Sequence, residues 1–179
     1  MFSFGLFINP ESERKRATDS HDEYEVEGDD FNEMLAITCL KLANSEQFTF
    51  EVKGFGQDPW PVDVRLDMAT FLEQITEVLT WLDSGGHEDT ELDFYEQGIE
   101  RKLIFHSEEE KIKINCESRT NWTPSPSEEW LDKATLNSLF SLFLKRFIES
   151  VQEFCQDIAE TSIFRDWSAQ ECIRKRIVN

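Results

Sequence analysis

The amino-acid sequence predicts an α+β fold, an antiparallel sheet of about five strands packed against two or three amphipathic helices. Two patterns carry this. Apolar residues recur at helical spacing in three segments, and between those segments the apolar period falls to two. The resulting order is helix, two strands, helix, three strands, long helix, without the strict strand–helix alternation of a parallel sheet. A chain of 179 residues fits a single domain, 1–179, and is long enough to bury a core. With 39% hydrophobic residues and fifteen phenylalanines, it is no disordered acidic tail.

Residues 1–8 are apolar but lack a basic n-region and a small-residue cleavage site, so they do not read as a signal peptide, and no run approaches a membrane span. Asn9 to Ser20 mixes charge, proline and serine, as loops do. A helix is expected after Asp29-Asp30, with Phe31, Met34, Leu35, Thr38, Cys39 and Leu42 on one face and carboxylates near its positive end. Phe48, Phe50 and Val52 then alternate with polar residues, as do Val62, Val64 and Leu66, which predicts two half-buried strands. The central helix carries Met68, Phe71, Leu72, Ile75, Val78, Leu79 and Leu82 on its apolar face, with Asp67 as the expected N-cap and Gly85-Gly86 as its stop. Residues 91–97, 101–106 and 111–116 read as a meander with short connections. Two prolines in Thr123-Pro-Ser-Pro-Ser127 make 119–127 a loop, and a long helix follows from about Thr135 to Ala159, striped by Leu139, Phe140, Phe143, Leu144, Phe147, Ile148 and Val151.

Charge is the chain's strongest compositional signal. There are 37 acidic against 18 basic side chains, a formal net charge of -19. The C-terminal tail, 161–179, is locally basic by two, through Arg165, Arg174, Lys175 and Arg176 against Asp166 and Glu171, which leaves -21 on residues 1–160. Between Asp19 and Glu33 an acidic N-terminal segment holds eight carboxylates and no lysine or arginine. Such a field repels phosphate backbones and anionic lipid and speeds encounter with a basic protein, although an acidic surface also serves solubility alone.

Catalytic motifs are missing. The sequence has no phosphate-binding glycine loop, no nucleophile elbow, no histidine pair at helical spacing and no cysteine pair suited to zinc. His21 and His87 fall in acidic loops and His106 at a strand end, where local hydrogen bonding is the commoner role. The loop 83–91, Asp83-Ser-Gly-Gly-His-Glu-Asp-Thr-Glu91, lacks the ligand order of an EF-hand, so no metal or other cofactor is expected. The cysteines 39, 116, 155 and 172 are widely spaced and three of them fall on apolar periodic positions, as reduced core thiols do, which argues for the cytosol, while Cys172 sits in the tail, where a redox role stays open but packing is the commoner one. Trp60, Trp122 and Trp130 fall in expected loops, where tryptophan more often anchors a loop to the core than recognises a partner.

The run Phe48-Thr-Phe-Glu-Val-Lys-Gly-Phe-Gly56, with Val62-Asp-Val-Arg-Leu-Asp-Met-Ala-Thr-Phe-Leu-Glu-Gln74 and Leu92-Asp-Phe-Tyr-Glu-Gln-Gly-Ile-Glu-Arg101, resembles small bacterial immunity proteins. These are the cognate inhibitors encoded beside polymorphic or contact-dependent growth inhibition toxins. The resemblance covers about residues 48–118. It implies a cytoplasmic, non-enzymatic protein that binds a toxin domain, often a basic nuclease, as a monomer in a one-to-one complex, without touching nucleic acid or membrane itself. No catalytic residues come with it, so binding residues are taken from charge. The first patch is Asp22, Glu23, Tyr24, Glu25, Glu27, Asp29 and Asp30; the second is His87, Glu88, Asp89 and Glu91; the third is Glu128, Glu129 and Trp130. The alternative is an acidic nucleic-acid mimic that blocks a DNA-binding or restriction protein, and a hydrolase using scattered carboxylates is the third reading.

Overall fold

The apolar stripes of the sequence are helices, and their buried faces meet around a phenylalanine cluster. The computed structural model describes residues 1–9 and 30–178. Among these the elements run β1 (Ser3–Ile8), α1 (Phe31–Asn44), β2 (Phe48–Lys53), α2 (Asp67–Asp83), β3 (Thr90–Phe94), β4 (Arg101–Glu108), β5 (Lys111–Ser118), β6 (Glu128–Asp132), α3 (Lys133–Phe154), α4 (Gln156–Ala159), α5 (Ser162–Ser168) and α6 (Glu171–Ile177). The class is α+β. The strands form two antiparallel sheets, β1-β2 and β3-β4-β5-β6, rather than one.

Phe71 on α2 is the hub of the core. Its ring lies 5.0 Å from Phe4 of β1, 5.6 Å from Phe50 of β2, 6.2 Å from Phe94 of β3 and 5.0 Å from Phe143 of α3. One helix thus sees both sheets and the long helix through aromatic pairs at favourable separations.

The two sheets are tied by a carboxylate. Glu129 of β6 is buried, and its Oε1 accepts from Phe55 N at 2.5 Å while its Oε2 accepts from Phe2 N. The turn after β2 is shaped for this contact. Gly56 has φ +83, and a Cβ there would lie 2.2 Å from the Ser125 carbonyl oxygen, while Phe55 O accepts from Ser125 N at 2.9 Å. The glycines of the Gly54-Phe-Gly56 run therefore serve close packing of the turn on the proline loop.

Three local expectations are corrected. Val62 to Leu66 is not a strand but a bend and turn leading into α2. Asp63 Oδ1 accepts from Leu66 N at 2.7 Å, and Asp67 Oδ2 accepts from Asp63 N at 2.8 Å. These reciprocal bonds satisfy the backbone locally and outcompete a ladder. For the same reason Asp67 is not the N-cap; Leu66 holds that position and Asp67 sits in the first turn. The long helix breaks at Cys155 (φ -134, ψ 55), so residues 156–159 form the separate α4.

The basic C-terminus is folded in rather than left as a tail. Trp167 of α5 packs edge-on against Phe147 at 5.8 Å. Arg176 of α6 is buried and donates to Cys172 O, Asp83 Oδ1 and Asn137 Oδ1, while Lys175 Nζ lies 3.6 Å from Asp83 Oδ2. Part of the basic excess is thereby spent on the chain's own acid at the end of α2.

Candidate functional site

An acidic protein must place its carboxylates somewhere, and the structure separates those with internal partners from those without. Asp22, Glu23, Tyr24, Glu25, Glu27 and Asp29 lie outside the described residues. Asp30 N-caps α1, its Oδ1 accepting from Asn32 N at 2.9 Å and Glu33 N at 3.2 Å. This is ordinary capping chemistry.

Glu91 of the second patch shares the outer face of the four-stranded sheet with Glu128 and Trp130 of the third. Glu91, Ile104, Asn115 and Glu128 are register partners across β3, β4, β5 and β6, and His106, Lys113 and Trp130 form the neighbouring row. At about 4.8 Å per strand, Glu91 and Glu128 stand roughly 14 Å apart at opposite edges. Glu128 and Trp130, the latter 41% exposed, face solvent. Glu129 does not: side chains alternate along a strand, so it points inward and is spent on the sheet-to-sheet tie. The expectation that it meets a partner is corrected.

Several acids at or beside this outer face have partners within the chain. Lys102 bonds Glu91 at 3.0 Å, Arg119 bonds Asp93 at 2.6 Å, Lys113 lies 3.7 Å from Glu108, and His106 Nδ1 lies 2.6 Å from Asp89. His106 Nε2 faces Asn115 Nδ2 at 3.3 Å, so both ring nitrogens are engaged within the structure. That leaves it poorly placed as a general base.

Around the corner, where α2 ends and β3 begins, lies a groove of about 640 Å³ whose lining, among the described residues, has no lysine or arginine. One wall is the polar side of α2, with Thr76, Glu77, Thr80 and Ser84; the other is the loop His87, Glu88, Asp89 and the start of β3 at Thr90, and Gln170 closes the far side. Glu77 and Glu88 are exposed and make no ion pair among the described residues. Gly85 and Gly86, both at positive φ, turn the chain so that this loop folds back over the helix end.

Some donors of the groove wall are committed within the chain, while the Thr76 hydroxyl, the His87 ring and the Gln170 amide also line it. Thr80 Oγ1 donates to Thr76 O at 2.7 Å and Ser84 Oγ donates to Trp81 O at 2.9 Å, so each hydroxyl has only lone pairs left to offer. Trp81 Nε1, the indole donor of the wall, is already used on Glu88 O. Thr90 Oγ1 is buried on a residue only 7% exposed and has no hydrogen-bond partner among the described residues.

A second charged cluster is closed to solvent. Arg101 of β4 is 2% exposed, lies 4.4 Å from the Trp60 ring and 3.5 Å from the Trp122 ring, and donates from Nη2 to Gln57 Oε1 at 2.6 Å. Burial lowers its pKa to about 10. The two loop tryptophans thus sandwich a structural cation by cation–π contact.

The sequence reading found the loop half of the groove and missed Glu77, Thr90 and Gln170. The signal for the helix half was present: Thr76, Thr80 and Ser84 recur every four residues opposite the apolar stripe. Among the described residues no cluster of histidine, cysteine, aspartate and glutamate is arranged to hold a metal ion, and no helix is long and apolar enough to cross a membrane. All four cysteines are free and buried; burial pushes the Cys116 and Cys155 thiols up to about 12 and Cys39 higher still. Comparison with protein-family models, with curated proteins and with solved structures found no match.

Proposed function

We propose that this chain is an immunity-type inhibitor that binds a basic protein toxin and occludes its working surface. The observation that carries the reading is the groove at the α2–β3 corner, whose carboxylates Glu77 and Glu88 make no ion pair among the described residues, in a chain of net charge -19. Long-range attraction would speed encounter with a partner rich in lysine and arginine, and the few desolvated contacts at the groove would set the lifetime of the complex. A nuclease domain fits this chemistry, because the basic surface that holds phosphates is the one an acidic protein covers most favourably. The resemblance over residues 48–118 points the same way. The reading assigns the chain to the cytoplasm, as a monomer in a one-to-one complex, with no reaction of its own.

The test is affinity capture from the native host at low and moderate salt, with the captured polypeptide then expressed alone and together with this chain. One basic polypeptide, recovered in stoichiometric amount and arresting growth only in the absence of this chain, supports the proposal. A captured protein whose toxicity or activity is unchanged by this chain, or capture of nothing across the salt range, refutes it.

A further inference from the structure

The two sheets have edges at β1, β2, β3 and β6, and the first three are engaged from within. Leu6 O of β1 accepts from Arg146 Nη1 at 2.9 Å, and Val52 O of β2 accepts from Trp60 N at 2.8 Å. On β3 the Gln74 amide imitates a neighbouring strand, donating to Asp93 O at 2.9 Å and accepting from Asp93 N at 2.8 Å. β6 is different. Lys133 N donates to Glu110 O and Cys116 N to Ser127 O, so by the alternation of an antiparallel ladder Glu129 and Leu131 turn their backbone groups to β5, while Glu128, Trp130 and Asp132 turn theirs outward. Among the described residues the outward N–H and C=O of Trp130 meet no partner. We infer that the outer edge of β6 receives an extended, basic segment of a partner protein as an added antiparallel strand. The inference goes beyond the inhibitor reading, which sets no binding mode, and rests on it only for the source of that strand.

Open space and charge both bear on the occupant. Trp130, Leu131 and Asp132 help line a hollow of about 160 Å³, and Trp130 is 41% exposed. A strand added here gains main-chain hydrogen bonds from the edge and its specificity from alternate side chains. On the solvent face those side chains would lie beside Glu128, Trp130 and Asp132. Glu128 and Asp132 are exposed and make no ion pair among the described residues; Lys111 stands across from Asp132 without pairing to it, and Lys113 reaches Glu108 at 3.7 Å. A strand with cations at its two ends and an apolar residue between them answers this row.

A second copy of the chain does not. Antiparallel pairing of two β6 strands about Trp130 would set Glu128 against Asp132 of the other copy, twice, and like charges directly opposite destabilise a ladder. Short length and flanking charge blunt an edge against indiscriminate pairing, and here both flanking charges are negative, so the edge discriminates by sign.

The experiment uses the full chain and a capped five-residue peptide, lysine-threonine-valine-threonine-lysine, followed by two-dimensional amide NMR. The peptide is expected to shift the Trp130 and Asp132 amides and, at two-thirds occupancy, to slow amide exchange at Trp130 about threefold, because only the free fraction then exchanges. Methylating the valine nitrogen removes the donor aimed at Trp130 O without altering the protein, and should weaken binding about tenfold. Replacing both lysines by glutamate should abolish binding, and Glu128→Lys should weaken the lysine peptide about threefold, whereas Glu149→Lys on the exposed side of α3 should not. No shift at millimolar peptide, shifts confined to other surfaces, equal binding of the methylated peptide, or a chain that dimerises through β6 without peptide would each overturn the inference. Strand capture by a chain that fails to neutralise its captured toxin would sink the inhibitor reading alone, and neutralisation by a chain that ignores the peptide would sink the strand-capture inference alone.

Discussion

Asp67 offers a direct test of how this acidic chain handles a carboxylate it has buried. The residue is 6% exposed, its Oδ2 accepts from Asp63 N, and its Oδ1 has no partner among the described residues. Burial, with added repulsion from Asp63 and Glu96 outweighing the Asp63 N–H bond, raises its pKa from 3.8 to about 6. The folded state therefore holds the proton more tightly than the unfolded chain. The stabilisation is fully present below the unfolded pKa and is lost as pH rises through the folded one. Its full size is about 3 kcal/mol, of which roughly 1.4 kcal/mol remains near pH 5 and almost none near pH 7.5. Asp67→Asn keeps an acceptor for Asp63 N and cannot ionise, so its stability relative to the parent should rise by about 1.4 kcal/mol between those two pH values. The amide must bury an N–H group at the unpartnered position, an offset of about 1 kcal/mol that is the same at both. Urea unfolding followed by tryptophan fluorescence reads the difference, and the general self-repulsion of the acidic surface largely cancels between the two proteins. A stability difference that does not change with pH would refute the raised pKa and the burial argument behind it.

Gly56→Ala should destabilise by about 2–4 kcal/mol, measured by the same unfolding assay, because the new methyl group would meet the Ser125 carbonyl oxygen at 2.2 Å in a backbone with φ +83. Glu129→Gln should cost about 1–3 kcal/mol, since an amide can accept from only one of the two backbone N–H groups now bound and sets its own donor against the other; amide exchange at Phe2 and Phe55 should accelerate first. None of the four cysteines should react with a bulky aromatic disulfide until denaturant unfolds the chain, as all are buried and three have strongly raised pKa values; a thiol released at native rate would contradict their placement in the core.

The long helices were legible because a buried face leaves a stripe that few other structures produce, as Met34, Leu35 and Leu42 of α1 or Phe140, Phe143 and Phe147 of α3 show. β6 was hidden by the residue that makes it useful. In Glu-Glu-Trp-Leu-Asp the inward positions are Glu129 and Leu131 and the outward ones include Trp130, which inverts the polarity a strand normally displays. Val62 to Leu66 showed the opposite failure, a clean alternation cancelled by two aspartates that bind the backbone locally. Phe4 and Leu6 of β1 continue an alternation begun at Phe2, but the following Phe7-Ile8 blurs the period. At the candidate site, the acidity of 87–91 could be read directly, whereas the pairing of Asp89 with His106 and of Glu91 with Lys102 depends on strand register and could not.

That register changes what the net charge means. A count of carboxylates treats the outer sheet face and the groove alike, yet Glu91 is answered by Lys102 one strand away and Asp93 by Arg119 just past the end of β5, while Glu77 and Glu88 make no ion pair among the described residues. Exposed pairs of this kind contribute little to stability, about 0–1 kcal/mol each, but they decide where the field is left open. If the chain acts as proposed above, its summed charge would set the rate at which a basic partner approaches, and the exposed acids with no ion pair among the described residues, Glu117 and Glu128 on the sheet face as well as Glu77 and Glu88 in the groove, would be the ones such a partner meets without displacing an internal cation.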